Sequence, residues 1–498
     1  MKPNKRHFFS ALAILVAAGL SGCSDSSSSP SNTDDQDDDS NDNVSAATAD
    51  VRAIHAVTDG PAVNLVVDGE SVTADAPLSF ETASPALEVP ADGADLGVEA
   101  IVPGSEDPAI IDDSFDLPED GISTLVATGS AADDGDITPV LLEAPQGPLQ
   151  DDRRMRVQGV HAAPNIGAVD IYITTPDNSN LSSVPPVTLE LGEQASAELF
   201  PDGRRIRITE AGIENPDDPA NWLFDSGEIG DYQPEDEVVI AVLDSTGAED
   251  SPARLLLSPA PNGDDFAVVL DQDPAGAAQA RGAHFVAYDV ANPVDVLVNG
   301  NAIPPLGNLD FREFSPFVPT APGTLDIAVL DDNGDPVVGN AQLNPEAGEF
   351  VTGYAVGIDD PNVDPEPSLM TTTDDLRGVA TEARARIVHA ASQAPAVDVY
   401  LDSNQQLTAS DLDGVEPVNG VPIPFGQATG FLSLAPGDYR VLVTEAGTSN
   451  VIIGDPDTGA PATFGKGKLF TAVAHDGPNP GNNFRPFGIR VLEEPAQP

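Results

Sequence analysis

The chain has 498 residues, and 82 Asp or Glu against 21 Lys or Arg give it a formal net charge of −61. A chain this long exceeds a single hydrophobic core, so its length predicts roughly three to five domains. The acidic excess excludes nucleic-acid binding, because a protein that contacts phosphate backbones needs clustered Lys and Arg.

The first two dozen residues resemble an export signal with a lipid-attachment site. Basic residues precede an apolar run, 8–20, and a Leu-Ser-Gly-Cys sequence then ends at Cys23. The run is too short to stay in a bilayer as a spanning helix, and a basic start with small residues before a cut site is typical of a cleaved signal. The ending resembles the lipobox of bacterial lipoproteins, which implies that residues 1–22 are removed and that Cys23 carries the acyl chains. An ordinary signal peptide with a chance cysteine is the alternative.

Residues 23–50 are predicted to form a disordered tether. The segment is rich in Ser and Asp and has no large apolar residue before Val44, so it has too little apolar surface to form a core. A calcium site in its Asp run is the alternative. Over the whole chain, the acidic excess predicts a solvated coat suited to high salt, because screening at molar salt relieves charge repulsion. A set of divalent-cation sites is the alternative there.

The rest of the chain contains four similar segments, each about one domain long. The histidine position of the shared pattern is held by His55, His161, Val286 and His389, and the following acidic position by Asn64, Asp170, Asp295 and Asp398. The longest step lies between the second and third copies, which indicates two pairs of domains separated by a linker. The predicted boundaries are 51–150, 151–260, 281–380 and 381–498, with the linker at 261–280.

The local pattern within each copy predicts β-structure. Short apolar runs with strand-like alternation are interrupted by Pro, Gly, Asn and Asp every eight to twelve residues or so, which is typical of an antiparallel sandwich of about seven strands. The prediction is therefore an all-β chain of four tandem immunoglobulin-like antiparallel β-sandwich domains. Because Cys23 is the only cysteine, no disulfide is available to stabilise them.

The repeated pattern also resembles a known family. A His-Ala step, then the Ala-Val-Asp-Val-Tyr run 396–400, then a Pro-Gly turn with a Tyr-containing strand resemble the bacterial domain-of-unknown-function family numbered 4397. The resemblance extends over roughly residues 50–495; it is best in the second and fourth copies and weakest in the third, where Val286 replaces the histidine. It implies an extracytoplasmic, often tandem, immunoglobulin-like sandwich and no common activity.

The histidines His55, His161 and His389 are interpreted as structural residues, each with a ring nitrogen bonded to a turn carbonyl or carboxylate. A metal or catalytic role is the alternative, but no copy offers a second histidine nearby in the sequence. Asp170 and Asp398, nine residues after their histidines, are expected to accept hydrogen bonds from turn amides or to pair with the histidine.

No motif in the sequence predicts a catalytic, cofactor or metal site. A serine-hydrolase elbow, a Gly-rich phosphate loop and zinc-ligand spacing are all missing from the sequence. The acidic turns 331–335 and 411–414 resemble calcium loops but lack the full set of ligands. Trp222 is expected to be a packed residue rather than a sugar-binding platform. Cys23, as the lipidation site, is the single predicted site residue.

These features predict a non-enzymatic, envelope-anchored lipoprotein that displays tandem sandwiches for adhesion or protein contact. The alternative is a ligand-binding accessory protein that recognises a glycan or peptide at the loops of a domain end. The expected partners are the membrane, through the lipid anchor, and an envelope protein or glycan. Ser24 stands where an Asp would resemble the inner-membrane retention signal of two-membrane bacteria, so anchoring in the outer membrane is expected, at either face.

Overall fold

The computed structural model describes most of the chain from residue 47 onward. The described ranges are 47–105, 110–119, 121–132, 136–201, 203–230, 232–248, 251–260, 267–270, 277–287, 293–360, 363–403, 412, 414–453, 462–477 and 487–497. The predicted signal 1–22, Cys23 and most of the predicted tether lie outside the described residues. The tether prediction extended to residue 50, whereas the first strand already begins at Thr48.

Repeats 1 and 2 each contain nine strands among their described residues. Repeat 1 has β1 (Thr48–His55), β2 (Val63–Val67), β3 (Glu70–Ser71), β4 (Thr82–Ala83), β5 (Leu87–Pro90), β6 (Ala94–Ala100), β7 (Ile110–Phe115), β8 (Ile122–Gly129) and β9 (Ile137–Leu142). Repeat 2 has β10 (Met155–His161), β11 (Val169–Thr174), β12 (Val187–Leu189), β13 (Gln194–Leu199), β14 (Arg205–Glu210), β15 (Trp222–Asp225), β16 (Glu237–Asp244), β17 (Ala253–Ser258) and β18 (Val268–Leu270).

Repeats 3 and 4 each contain eight strands in the described ranges. Repeat 3 has β19 (Ala278–Ala287), β20 (Asp295–Val298), β21 (Asn301–Ala302), β22 (Val318–Thr320), β23 (Leu325–Leu330), β24 (Pro336–Leu343), β25 (Phe350–Ile358) and β26 (Ser368–Thr373). Repeat 4 has β27 (Ala383–Ala390), β28 (Val397–Asp402), β29 (Leu432–Leu434), β30 (Gly437–Glu445), β31 (Val451–Ile453), β32 (Ala462–Phe464), β33 (Leu469–His475) and β34 (Gly488–Glu493). Short 3₁₀ turns lie at Leu181–Ser183, Pro219–Asn221 and Pro304–Leu306.

Each repeat is a sandwich of two sheets, as the alternating pattern predicts. The first sheets have the orders β4-β1-β8-β9 (with β5 also on β1), β13-β10-β16-β17-β18, β22-β19-β25-β26 and β29-β27-β33-β34. The second sheets have the orders β3-β2-β6-β7, β12-β11-β14-β15, β21-β20-β23-β24 and β28-β30-β31 (with β32 on β30). Among the described ranges, no helix is long and apolar enough to cross a membrane.

The pairings are antiparallel except for one parallel pair in every first sheet. The opening strand of each repeat pairs in parallel with its penultimate long strand, as β1 does with β8 and β27 with β33. Hairpins alone would make every pair antiparallel. The parallel pair arises because the chain crosses to the second sheet and returns before adding the partner strand.

The strands of the parallel pairs are buried on both faces. In β25 every residue from Phe350 to Ile358 is buried. Val351 and Ala355 contact the core of their own sandwich, whereas Tyr354 and Val356 contact Val388 and Val473 of repeat 4. This two-sided burial explains the continuous apolar runs in the sequence, because a strand covered on both faces needs no polar alternation.

The same arrangement joins repeat 1 to repeat 2. Ile54, Val126 and Leu142 of repeat 1 form one apolar cluster with Val160 and Leu256 of repeat 2. Repeats 1 and 2 therefore form one face-to-face pair and repeats 3 and 4 a second. The sandwiches are therefore not independent of one another, because in each pair the outer faces of the first sheets are buried against each other.

The two pairs also contact each other, and residues from 46 onward form one compact unit. Ala248 N–H donates to Gly348 O at 2.8 Å, and Arg377 donates to Thr58 O and Gly60 O, both at 2.9 Å. The segment predicted as a linker, 261–280, contains β18, which pairs with β17, and the start of β19. Residues 261–266 and 271–276 lie outside the described residues.

Candidate binding grooves and buried polar groups

The three repeated histidines make the same pair of hydrogen bonds. His55 Nε2 lies 2.7 Å from Pro61 O, and its Nδ1 accepts the Val57 N–H at 3.2 Å. His161 and His389 repeat both contacts, with ring nitrogens 3.0 and 2.9 Å from the carbonyls of residues 167 and 395. In each case the ring bridges the end of the first strand to the turn that follows it. The structural interpretation of these histidines is confirmed, with a turn carbonyl as the partner.

These contacts fix the protonation state of the rings. Because Nδ1 accepts from a backbone N–H, the proton must lie on Nε2, which then donates to the turn carbonyl. A second proton on Nδ1 would break the backbone hydrogen bond. Burial lowers the pKa of His55 to about 4, and it also lowers the pKa of His161 and His389. All three rings are therefore neutral at pH 7.

The histidine of repeat 3 is His284, not the position of Val286. His284 pairs with Ala355 in the parallel ladder, as His389 pairs with Ala474, and its backbone bonds the neighbouring segment in the same way. The prediction aligned the apolar runs and so missed two additional residues between the histidine and Asp295. Burial lowers the pKa of His284 to about 4. Residues 288–292, which follow it, lie outside the described residues.

The acidic position of the repeats anchors a glycine turn. Asp170 accepts from Gly212 N–H at 2.8 Å, and Asp398 accepts from Gly447 N–H at 2.7 Å. Both glycines have positive φ, 75° and 69°, so a side chain at either would be strained. The prediction that these carboxylates accept from turn amides is confirmed, whereas the pairing with histidine is wrong because the histidines bond carbonyls.

A buried cluster of four charges joins repeats 3 and 4. Arg281 donates to both oxygens of Glu494 at 2.7 Å, and Arg386 bonds Asp374. Each arginine also donates Nε–H at 2.8 Å to the threonine opposite it in its own parallel pair. The arrangement is reciprocal, because each repeat supplies an arginine to a carboxylate that follows the last strand of the other. All four side chains are at most 3% exposed.

The sequence contains a signal for this cluster that the predictions above did not use. Arginine recurs three residues before the histidine at Arg52, Arg281 and Arg386, inside apolar strands of an arginine-poor chain. Repeat 2 has Gln158 at that position, and Arg52 donates to Ser258 Oγ at 2.7 Å.

Two grooves of similar size lie at corresponding places in the two pairs. Each lies between the first sheet of one repeat and the tail of its paired repeat, with Pro145 and Pro495 in equivalent tail positions. The groove on repeat 2 has a volume of about 450 Å³ and a mainly polar wall. Its two arginines are engaged: Arg154 bonds Glu198 O, and Arg156 bonds Glu237 and tail carbonyls.

The groove on repeat 3, called the aromatic groove below, has a volume of about 460 Å³. Its walls come from repeats 2, 3 and 4, and are formed by Gly247, Ala248, Gln279, Arg281, Phe314–Phe317, Phe350, Leu492, Glu493, Pro495 and Gln497. A site between domains with aromatic walls and a few polar groups has the character of ligand pockets in general. The apolar cavities inside the sandwiches of repeats 3 and 4 measure only about 30 and 40 Å³, room for about one water each.

The remaining sequence candidates form no site in the described part of the chain. Asp331 accepts hydrogen bonds from Asn333 N–H and Asp335 N–H within its own turn, while Asp411 and Asp413 lie outside the described residues. Trp222 donates to Pro216 O at 2.9 Å and lies under a guanidinium, which agrees with a packed residue. Within the described ranges, no group of three or more His, Cys, Asp or Glu is placed to hold a metal ion.

Comparisons with known proteins identify a family and little else. The family described as "Domain of unknown function (DUF4397)" matches residues 49–172, 278–400 and 383–496. Among curated proteins, no relative matches the sequence. A solved structure titled "The Bacillus anthracis TIE protein" is similar at 10% sequence identity and a TM-score of 0.14, over 86% of this chain and 69% of that chain.

Proposed function

The chain belongs to the DUF4397 family, and from its architecture we propose that it is a non-enzymatic envelope lipoprotein that presents its β-sandwiches for adhesion or protein contact. The single observation that carries the proposal is the packing of all four repeats into one unit through buried sheet faces. Such a unit presents a fixed set of surfaces, as a display or adhesion protein requires.

The hydrogen bonds of the repeated histidines and aspartates favour a binding role over catalysis. The ring nitrogens of His55, His161 and His389 are engaged in backbone hydrogen bonds, and burial keeps the rings neutral. Asp170 and Asp398 are held by turn amides. A general base must reach a substrate proton, and these groups are instead directed into the fold.

The proposed location rests on the N-terminal sequence. Lipidation at Cys23 would place the sandwiches beside a membrane, and the residue that follows favours the outer membrane of a two-membrane bacterium. Two or more acyl chains are needed for lasting membrane attachment, because a protein with a single chain dissociates from the membrane.

Two experiments test the proposal. Membrane fractionation of the native chain and of Cys23→Ser should place the first with the outer membrane and the second elsewhere. A native chain found free of membranes would contradict the anchored role. The mature protein is then used as bait in envelope extracts at low and high salt. It should bind a specific protein or glycan, and Cys23→Ser should bind the same partner.

A further inference from the structure

The aromatic groove is the strongest candidate for a ligand site in the described part of the chain. We propose that it binds a neutral glycan through the face of a pyranose ring. This inference rests on the proposed function, since it names a ligand class for a surface of the displayed unit. It places that ligand between repeats rather than at the loops of a domain end.

The floor of the groove is a rigid aromatic platform. Phe314 and Phe317 are half-buried, and Phe317 packs edge-to-face on the buried Phe350, with ring centroids 5.1 Å apart. The guanidinium of Arg281 lies 4.4 Å from the Phe317 centroid and is itself fixed by Glu494. A ring held in this way loses little conformational freedom when a ligand binds, which favours affinity. The apolar C–H face of a pyranose suits such a ring.

The rim supplies groups that bond hydroxyls. Gln279 and Gln497 are half-buried at the wall, and the Gln279 amide is held by a 3.2 Å hydrogen bond to Ala248 O. Glu493 is exposed beside them, with one carboxylate oxygen 2.8 Å from Lys468 Nζ. Side-chain amides and a carboxylate around an aromatic floor pair with hydroxyls on the edge of a sugar. A peptide that adds a strand to a sheet needs an unpaired strand edge, which these side chains do not supply.

The charges favour a neutral ligand. The one cation in the groove wall, Arg281, is neutralised by Glu494, which bonds both of its terminal nitrogens at 2.7 Å. Glu493 is paired with Lys468, and the net charge of −61 on the whole chain repels anions, so a uronic acid or phosphate is disfavoured. A volume of about 460 Å³ lies within the usual range of small-ligand pockets.

Repeat 4 offers a matched control for the platform. Phe431 stands where Phe317 stands in repeat 3, and it packs on Arg386 with 4.9 Å from the guanidinium to the ring centroid. Phe431 does not line the aromatic groove. Phe317→Ala and Phe431→Ala therefore each remove a ring that packs on an arginine of the buried ion cluster, and they differ in whether the platform is lost.

The experiment is calorimetric titration of the mature lipoprotein, in a detergent without sugar groups, with cellotriose, chitotriose and maltotriose. The native protein should bind at least one, Phe317→Ala should weaken that binding by about tenfold or more, and Phe431→Ala should leave it unchanged. Gln497→Ala should also weaken it, and thermal melts of all variants report whether they are folded.

Other results would overturn the inference. Failure of the native protein to bind any of the three sugars, or equal loss of binding in the two phenylalanine variants, would contradict a glycan platform. Phe317-dependent binding of a proline-rich peptide without sugar binding would assign the groove to a peptide. In each case, if Phe317→Ala binds the envelope partner as strongly as the native protein does, the proposed display function still stands. Cleavage of a sugar by the native protein would contradict the non-enzymatic proposal itself.

Discussion

Replacing His389 by alanine should destabilise the protein without affecting any ligand. His389 is fully buried, donates Nε2–H to Pro395 O at 2.9 Å and accepts the Ala391 N–H at 3.3 Å through Nδ1. Its ring also packs edge-to-face on Phe425, with centroids 6.3 Å apart. The substitution therefore removes two hydrogen bonds and opens a cavity at the end of β27.

The expected cost follows from these contacts. A buried backbone group left without its partner costs about 1–3 kcal/mol, and Ala391 N–H is such a group after the change. The lost packing adds to this, so the free energy of unfolding should fall by about 3 kcal/mol. Val421→Ser provides a control in the same repeat, because Val421 is 72% exposed and its loss should change stability by about 0.5 kcal/mol or less.

The assay is urea unfolding followed by far-ultraviolet circular dichroism, with hydrogen exchange to localise the loss. His389→Ala should lower the urea midpoint and speed exchange at the end of β27 and in the turn at 391–395. A midpoint equal to that of Val421→Ser would refute the bridging role of the ring. Exchange that rose only in distant repeats would refute it as well.

Three other perturbations test separate parts of the structure. Glu494→Ala should lower the free energy of unfolding by about 3–5 kcal/mol, because the buried Arg281 loses its bidentate partner and keeps only Asp374, 3.7 Å away. Arg281→Met with Glu494→Leu should cost much less, and equal urea midpoints for the two variants would disprove this. His55 has a pKa of about 4 in the folded protein and near 6.5 in the unfolded chain, so its contribution to stability is present above pH 6.5 and is lost as the pH falls toward 4, by about 2 kcal/mol at pH 5. Urea unfolding at pH 7 and pH 5 should therefore show a smaller loss of stability for His55→Gln than for the native protein. An equal loss in the two proteins would contradict the assignment. The melting temperature of the mature protein should rise from low to molar NaCl as screening relieves repulsion among charges that sum to −61, and a flat curve would argue against an acidic coat adapted to salt.

The local features of the sequence predicted the fold class, because they act within a few residues. Turn residues at short intervals and alternating apolar runs specify strands and sandwiches wherever they occur. The roles of His161 and Asp170 could also be predicted from the sequence, since each bonds a turn close to it in the fold and recurs at a fixed spacing in repeat 4.

Contacts between repeats could not be predicted from local features of the sequence. The two-sided burial of Phe350–Ile358 appears in the sequence only as a continuous apolar run, which fits one sheet face or two. The partner of Arg281 lies more than 200 positions away, at Glu494, where no local pattern connects them. Aligning the copies on the Arg-x-x-His spacing would have placed His284 correctly and would have revealed the recurring arginine.

The sheet faces shared between repeats limit how the chain can be shortened or extended. Cutting it between repeats 3 and 4 would expose Tyr354 and Val356 and would remove Glu494 from Arg281, which leaves a surface prone to aggregation. A cut near residue 270 would keep the shared sheet faces buried in both pairs, repeats 1 and 2 and repeats 3 and 4, and would break few hydrogen bonds. Viable fragments, and longer or shorter relatives, should therefore gain or lose sandwiches two at a time.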